Sequence, residues 1–227
     1  ADGKLNITAR SKEIRCDLSV WVDANSPAVH LDVRSDKKIS VTCTSELMRK
    51  DDYVLPNGGH PLADSFRGVA GSPVKPYESA DIVMSDDQNV IWAHRNETSL
   101  YPLIMERQNM EEFISKYPDP YMNRTFGAAI SGKGMKSSED GLSLTSVAPS
   151  KSCEVDVVLY TAQTRTAAQW KDELLSIVSQ VRNIDREAAR KAHIKWWRNF
   201  WNRSWIFLTG DEDARKATEG YLLQRYM

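Results

Sequence analysis

The chain has 227 residues, 41% hydrophobic and 27% charged, which is ordinary for a globular protein with one sizeable domain, or one domain and the start of another. Its 30 basic and 31 acidic residues leave a formal net charge of −1, so the electrostatic footprint of a nucleic-acid or anionic-membrane binder is absent. No apolar run approaches the roughly 20 residues of a membrane span, and three cysteines without a C-x-x-C pair, beside four histidines, argue against a zinc site.

The first half alternates apolar and polar residues. Leu5, Ile7 and Ala9 alternate, then Ile14, Cys16, Leu18 and Val20, then Val29, Leu31 and Val33, then Ile39, Val41 and Cys43. Period-two runs of this length mark strands with one buried face. S-K-E, D-A-N-S-P and R-S-D-K-K stand between them as turn signals. Several short strands at about ten-residue spacing predict an antiparallel sandwich. Each cysteine falls in such a run and reads as a small buried hydrophobe. Asn6, Asn96, Asn123 and Asn202 head N-x-S/T sequons, which matter only in a eukaryotic secretory setting.

From Tyr53 to Ala80 the rhythm breaks in a Pro- and Gly-rich stretch. Segments of that length without periodicity are usually functional or disordered. Phe66, Val69, Val74 and Tyr77 predict that this one packs, and it is a candidate lining for a ligand site. Strand patterns return at Ala80–Met84 and Val90–His94. After a polar segment with Pro118 and Pro120 they resume at Phe126–Ile130, Leu142–Val147 and Val155–Tyr160, with G-K-G-M-K-S-S-E-D-G as a hairpin-type loop.

At Thr166 the period changes. Thr166 is placed to cap a helix whose Trp170, Leu174, Ile177, Val178 and Val181 recur at three- and four-residue steps. Asn183 or Asp185 caps a second helix running through Phe200. Four of the seven tryptophans, Trp196, Trp197, Trp201 and Trp205, crowd into its end and just beyond. At helical spacing they read as packing surface, rather than as a platform for sugars. W-I-F-L is a short strand or extended link, and Asp211 or Asp213 opens a last helix with Ala217, Tyr221 and Leu222 inward. No Gly, Asn or Pro closes that helix, so the sequence reads as a piece of a larger protein entering its next domain.

Two clusters carry candidate chemistry. W-A-H-R-N-E-T (Trp92–Thr98) ends a strand and places an aromatic, an imidazole, a guanidinium and a carboxamide in succession, a set suited to binding a polyol. The alternative is that Trp92 fills the core, Arg95 pairs with a surface acid and Asn96 makes a turn. In Y-M-N-R-T-F-G-A-A-I-S-G (Tyr121–Gly132), Asn123 and Arg124 precede a strand in which Gly127 permits close backbone approach; a plain turn with an edge glycine is the simpler reading. The candidate substrate-binding residues are therefore His94, Arg95, Asn96, Asn123 and Arg124. No G-x-S-x-G, phosphate-binding glycine loop, H-E-x-x-H or paired carboxylates stand out, so no catalytic residue, metal or cofactor is assigned.

W-A-H-R-N, D-P-Y-M-N-R-T-F-G-A-A-I-S-G, W-W-R-N-F-W-N-R-S-W-I and A-T-E-G-Y-L-L-Q-R-Y-M together resemble the N-terminal β-domain and linker of large bacterial six-hairpin glycosidases. In particular the chain is similar to a family frequent in gut Bacteroidetes and distantly related to the family 95 glycoside hydrolases. The resemblance implies a mainly β fold with C-terminal helices: an antiparallel β-super-sandwich (1–165), a helical linker (166–205), and at 206–227 the first helix of a missing (α/α)6 toroid. It implies that the toroid carries the catalytic carboxylates, acting by inversion, and that the β-domain is a scaffold lending loops to the pocket rim. A carbohydrate substrate, packing against that toroid, a periplasmic or extracellular location, and no nucleic-acid or membrane partner go with it. The chain departs from the pattern in lacking an opening P-x-G-N-G type segment, as if it began partway through the sandwich. A non-catalytic carbohydrate-binding or interaction β-sandwich is the rival reading; an exposed aromatic row on the sheet face would favour it.

Overall fold

The computed structural model describes residues 3–54 and 77–226. The period-two runs form an antiparallel seven-stranded sheet. Its spatial order is β1 (Lys4–Arg10), β2 (Arg15–Val22), β3 (Ala28–Ile39), β12 (Ser150–Gln163), β9 (Arg124–Gly132), β8 (Asn89–Arg95) and β7 (Ile82–Met84). A three-stranded sheet, β10 (Met135–Ser137), β11 (Ser143–Ser146) and β4 (Thr42–Thr44), and a small ribbon of β5 (Tyr53–Val54) and β6 (Tyr77–Glu78) complete the strands. The helices are α1 (Tyr101–Arg107), α2 (Ala167–Arg182), α3 (Arg186–Asn202) and α4 (Glu212–Tyr226). The expected mainly β architecture followed by helices is what the chain adopts.

Alternation sends successive residues to opposite faces of the large sheet, and each face has its own core. On one, Ile91, Ala93, Ala129 and Val158 pack under α2 through Trp170, Leu174, Val178 and Val181. Trp170 and Leu174 are fully buried, and each such side chain stabilises the fold by roughly 1.5–3 kcal/mol. Thr166 caps α2 by accepting the Gln169 N–H at 3.1 Å. On the other face, Val90, Ile130 and Val155 pack against Met135 and Leu144 of the small sheet. The small sheet covers only part of this face. Leu5, Ile7 and Val22, on the same side, remain exposed, Leu5 at 58%.

Gly127 sits where β8 and β9 press together. A Cβ there would lie 2.1 Å from the Trp92 carbonyl oxygen and 2.7 Å from Ala93 Cα. Gly127→Ala is therefore expected to destabilise the fold by about 1–3 kcal/mol in urea unfolding; an unchanged midpoint would show that the strands can part at no cost.

Three expectations change. R-S-D-K-K is not a turn: Arg34 and Ser35 continue β3, paired with Asp17 and Cys16, and the Arg15 N–H donates to Asp36 at 3.0 Å. The predicted hairpin loop after β9 contains β10, because Met135 is apolar and buried. α1 lies in the segment read as merely polar, with a proline in its first turn and Met105 buried. Of the two readings of W-I-F-L the link holds: it lies outside any helix or strand, and Phe207 and Leu208 are exposed. Most of the Pro- and Gly-rich stretch, 55–76, lies outside the described residues.

The cysteines are free and half-buried. Burial pushes the Cys43 thiol upward, with Cys153 adding to it, and burial followed by Glu154 does the same to Cys153. Tyr160 is pushed upward by its hydrogen bond to Glu173, by burial and by the carboxylate charge. All three shifts are upward, so the native state keeps protons that the unfolded chain releases. The stability this contributes is complete below the unfolded pKa values and is lost as pH rises from them through the higher native values. The melting temperature is expected to fall as pH rises above about 8.5, the thiols acting first and Tyr160 only above about 10, and less steeply below about pH 10 in the Cys43→Ala/Cys153→Ala variant; equal slopes there in calorimetry would remove the thiols from the account.

Candidate functional site

The end of β8, the start of β9, the end of β12, the β2–β3 turn and the cap of α2 all lie at one end of the large sheet, as the registers Arg95↔Thr125, Gln163↔Arg124, Val158↔Ala28 and Val22↔Val29 require. Four of the five candidate residues meet there. Arg95 faces the α2 side and is only 6% exposed. Its Nη1 donates to the Asn123 carbonyl at 3.1 Å and Thr125 Oγ1 at 2.7 Å. Its Nη2 donates to Asn123 Oδ1 at 2.9 Å and to the carbonyls of Thr164 and Arg165 at 3.0 and 3.1 Å. Five protein acceptors thus absorb the terminal donors. Its Nε lies 4.0 Å from Oε1 of exposed Glu97, so a pair with a surface acid is present, but the terminal nitrogens are spent inside the protein. The guanidinium clamps the β8–β9 crossing to the start of α2.

Asn123 is chosen for its backbone as well as its side chain. Its φ of 62° is left-handed, a conformation asparagine tolerates better than most residues. Its N–H donates to the Asn96 carbonyl at 2.8 Å, and the Asn96 N–H donates to the Arg124 carbonyl at 2.9 Å. Arg124 donates from Nε to the Pro120 carbonyl at 2.7 Å and from Nη2 to Gln163 Oε1 at 3.1 Å. Half-buried Asn96 and Arg124, beside exposed Tyr121 and Met122, form the outer surface of this rim. His94 does not join them. It faces the opposite side, with Nδ1 3.1 Å from Asp81 Oδ1 and its ring 5.2 Å from Phe126.

A second polar cluster fixes α3 to the sheet. His30 Nδ1 lies 2.6 Å from Asp156 Oδ1, and its Nε2 lies 3.5 Å from Asp23 Oδ2. Arg186 donates to Asp156 Oδ1 at 2.7 Å, to Asp32 Oδ1 at 2.6 Å and to the carbonyls of Leu31 and Val155 at 3.3 Å each. Burial opposes its charge, but Asp156 and Asp32 outweigh burial and hold its pKa above the ordinary arginine value. One turn on, the Arg190 guanidinium lies 5.2 Å over the Trp21 ring. His193 is fully buried beside Trp21, and its Nδ1 accepts the Ala24 N–H at 3.2 Å. His30 and Asp156 stand on the polar side of their strands with Asp32, Arg34, Ser152 and Glu154, so their residue types carried no signal of this cluster. Their pairing across 126 residues carried none either.

His193 binds the β2–β3 turn and Trp197 lies against Gly3 just before β1, so the rest of α3 leaves the sheet at the end that carries the rim but on the β1 edge. A continuous aromatic chain follows it: Trp197, Trp196, Phe200, Trp201, Trp205 and Phe207, with neighbouring rings 4.9–5.9 Å apart. α4 folds back on it. Arg225 lies 4.6 Å over Phe200 and 4.9 Å over Trp201, and donates to the Phe200 carbonyl at 2.6 Å. Trp196 and Trp205 nevertheless remain 39% and 47% exposed. On the sheet itself Trp21 is buried and Trp92 half-buried, so the described strands present no exposed row of tryptophans. Among the described residues no cluster of His, Cys, Asp and Glu could hold a metal ion, and no helix is long and apolar enough to cross a membrane.

These features define a β-rich domain with helices docked on and beyond one sheet. The chain belongs to the family described as DUF5703_N, "Domain of unknown function (DUF5703)", whose profile matches residues 1–206. No curated protein matches it. Among solved structures, it is similar to a chain described as "Putative kojibiose phosphorylase from human microbiome", at 9% identity and a TM-score of 0.49, over 93% of this chain and 25% of that one. The present chain thus spans about a quarter of that protein's length.

Proposed function

We propose that this chain is the N-terminal scaffold of a glycoside hydrolase, with the catalytic carboxylates supplied by a helical toroid domain outside it. In this reading 1–165 is the β-sandwich, 166–205 the linker and 206–227 the entry to the toroid, and the whole acts on plant or host glycans in the periplasm or outside the cell. One observation carries it: α3, with exposed Trp196, and exposed Trp205 just beyond it leave the sheet at the end that carries the Asn96–Arg124 rim, on the β1 edge. A helical domain seated on those tryptophans would reach this rim by extending across β2, β3 and β12, about 19 Å at strand spacing. The motif resemblance supplies the chemistry, a carboxylic acid protonating the leaving oxygen while a carboxylate activates water.

His94, Arg95, Asn96, Asn123 and Arg124 keep different roles in this proposal. Asn96 and Arg124 are the rim groups placed to reach a glycan; Arg95 and Asn123 hold them in position, and His94 supports the strand from its other face. The test is hydrolysis by the full-length protein. It is expected to release sugars from a glycan panel, and this chain alone is expected to be inactive. Asn96→Ala and Arg124→Ala should each lower kcat/KM about tenfold, the loss of roughly one hydrogen bond in the transition state; the melting temperature should hold for Asn96→Ala and fall modestly for Arg124→Ala, which gives up its bonds to Pro120 and Gln163. Hydrolysis by the isolated chain, or none by the full-length protein, would overturn the proposal.

A further inference from the structure

The α2 and α3 side of the large sheet carries, over β1, β2, β3 and β12, a polar surface that neither the core nor the rim uses. Register places Asn6, Ser19, Asp32 and Glu154 side by side across the four strands. Arg34 stands one rung further along and Lys4 one rung back. The first turns of α3 rise beside them as a wall, enclosing a trough of about 560 Å³. A second hollow of about 370 Å³ shares Lys4, Ser19, Asp32 and Arg34 and prolongs it over β1. The size is that of small-molecule sites in general, roughly 300–1,000 Å³.

What distinguishes the surface is its unspent hydrogen-bonding capacity. Among the described residues, the side chains of Lys4, Asn6, Arg34 and Glu154 make no hydrogen bond or ion pair, and the Ser19 hydroxyl is buried without a partner. Lys4 and Arg34 can only donate and Glu154 can only accept. Asn6 and Ser19 do both, and Asp32 keeps one oxygen beyond the one that Arg186 engages. An array of donors alone would select phosphate or carboxylate. Donors and acceptors interleaved at strand spacing match vicinal hydroxyls, each of which gives one hydrogen bond and accepts others. Four strands at about 4.8 Å set Asn6 and Glu154 about 14 Å apart, enough for two hexose rings.

We propose that this trough binds a neutral disaccharide unit of a glycan chain, a subsite separate from the rim. The choice of a glycan among polyols rests on the function proposed above; the match to hydroxyls rests on the array itself. The experiment is a titration of the isotope-labelled chain, followed by amide NMR, with cellobiose, maltose, xylobiose and galactobiose. Glucuronate and inorganic phosphate serve as anionic probes. At least one disaccharide is expected to give saturable shifts confined to β1, β2, β3 and β12. The Asn6→Ala/Arg34→Ala/Glu154→Ala variant is expected to bind it at least tenfold more weakly while melting at the same temperature, since all three side chains are exposed and unpartnered. No saturable shift with any of the four sugars, equal binding by the variant, or tighter binding of glucuronate or phosphate would overturn the proposal. Hydrolysis by the full-length variant is measured alongside: activity without binding by this chain would sink the subsite and leave the proposed function standing.

Discussion

Replacing Arg95 by alanine is expected to destabilise the domain by about 3 kcal/mol or more. The substitution strands the carbonyls of Thr164 and Arg165 and Asn123 Oδ1, leaves the Asn123 carbonyl and the Thr125 hydroxyl only each other at 3.4 Å, and each unsatisfied group costs about 1–3 kcal/mol, offset where water can enter. Arg95→Lys should recover little. One ammonium carries three donors from a single point and cannot span a loop, a strand and the residues before a helix cap. Urea unfolding measures the effect, and hydrogen exchange should show α2 loosening first at its N-terminal turn. A variant within about 0.5 kcal/mol of the parent would mean that the clamp is dispensable.

Arg186→Met is expected to free α3. It leaves Asp156, which also pairs with His30, and Asp32 without their shared cation. Breaking a fully buried pair costs about 3–5 kcal/mol; here Arg186 and Asp32 are 19% and 29% exposed, and on the order of 2–3 kcal/mol is expected. The effect should be regional. Amides of α3 lose protection while those of β9 and β12 keep theirs, because α2 still covers its own core without that contact. If α3 stays as protected as before, the Trp21–His193 contact alone seats the helix and the ion cluster is secondary.

The strands and helices whose signal is local were legible in the sequence. β1, β2 and the start of β3 alternate apolar and polar residues as read, although the apolar side of β1 stays exposed, and Thr166 and Asp185 are conventional caps, each accepting the backbone N–H groups that a helix start leaves open. The missed elements depend on distant partners. Arg34–Lys38 has the composition of a turn and remains in β3 because strands arrive on both sides, β2 through Asp17 and β12 through Ser152. β10 is three residues long and gains its place from Met135 entering a core built by other strands. The site was half legible for the same reason. W-A-H-R-N and M-N-R-T were recognisable as a place where chemistry gathers, and the structure does bring Arg95 to Asn123. That Arg95 turns inward while His94 turns to the other face follows from strand parity, which the sequence states. Which face is buried beneath α2 it does not state.

The position of β12 has a consequence for how this chain comes into being. The meander β1–β2–β3 is complete within the first 39 residues, yet the strand that flanks β3 on its other side begins only at Ser150. During synthesis the meander must wait, with Val29, Leu31 and Val33 lacking their neighbours, until more than a hundred further residues have left the ribosome. Only then can β12 enter between β3 and β9 and join two half-sheets. Assembly gated by so remote a pairing is slow, and it leaves strand edges open to other chains meanwhile. Newly made protein is therefore the stage at which it is most exposed to misassembly, and expression at low temperature with chaperone supply is where its yield will be decided.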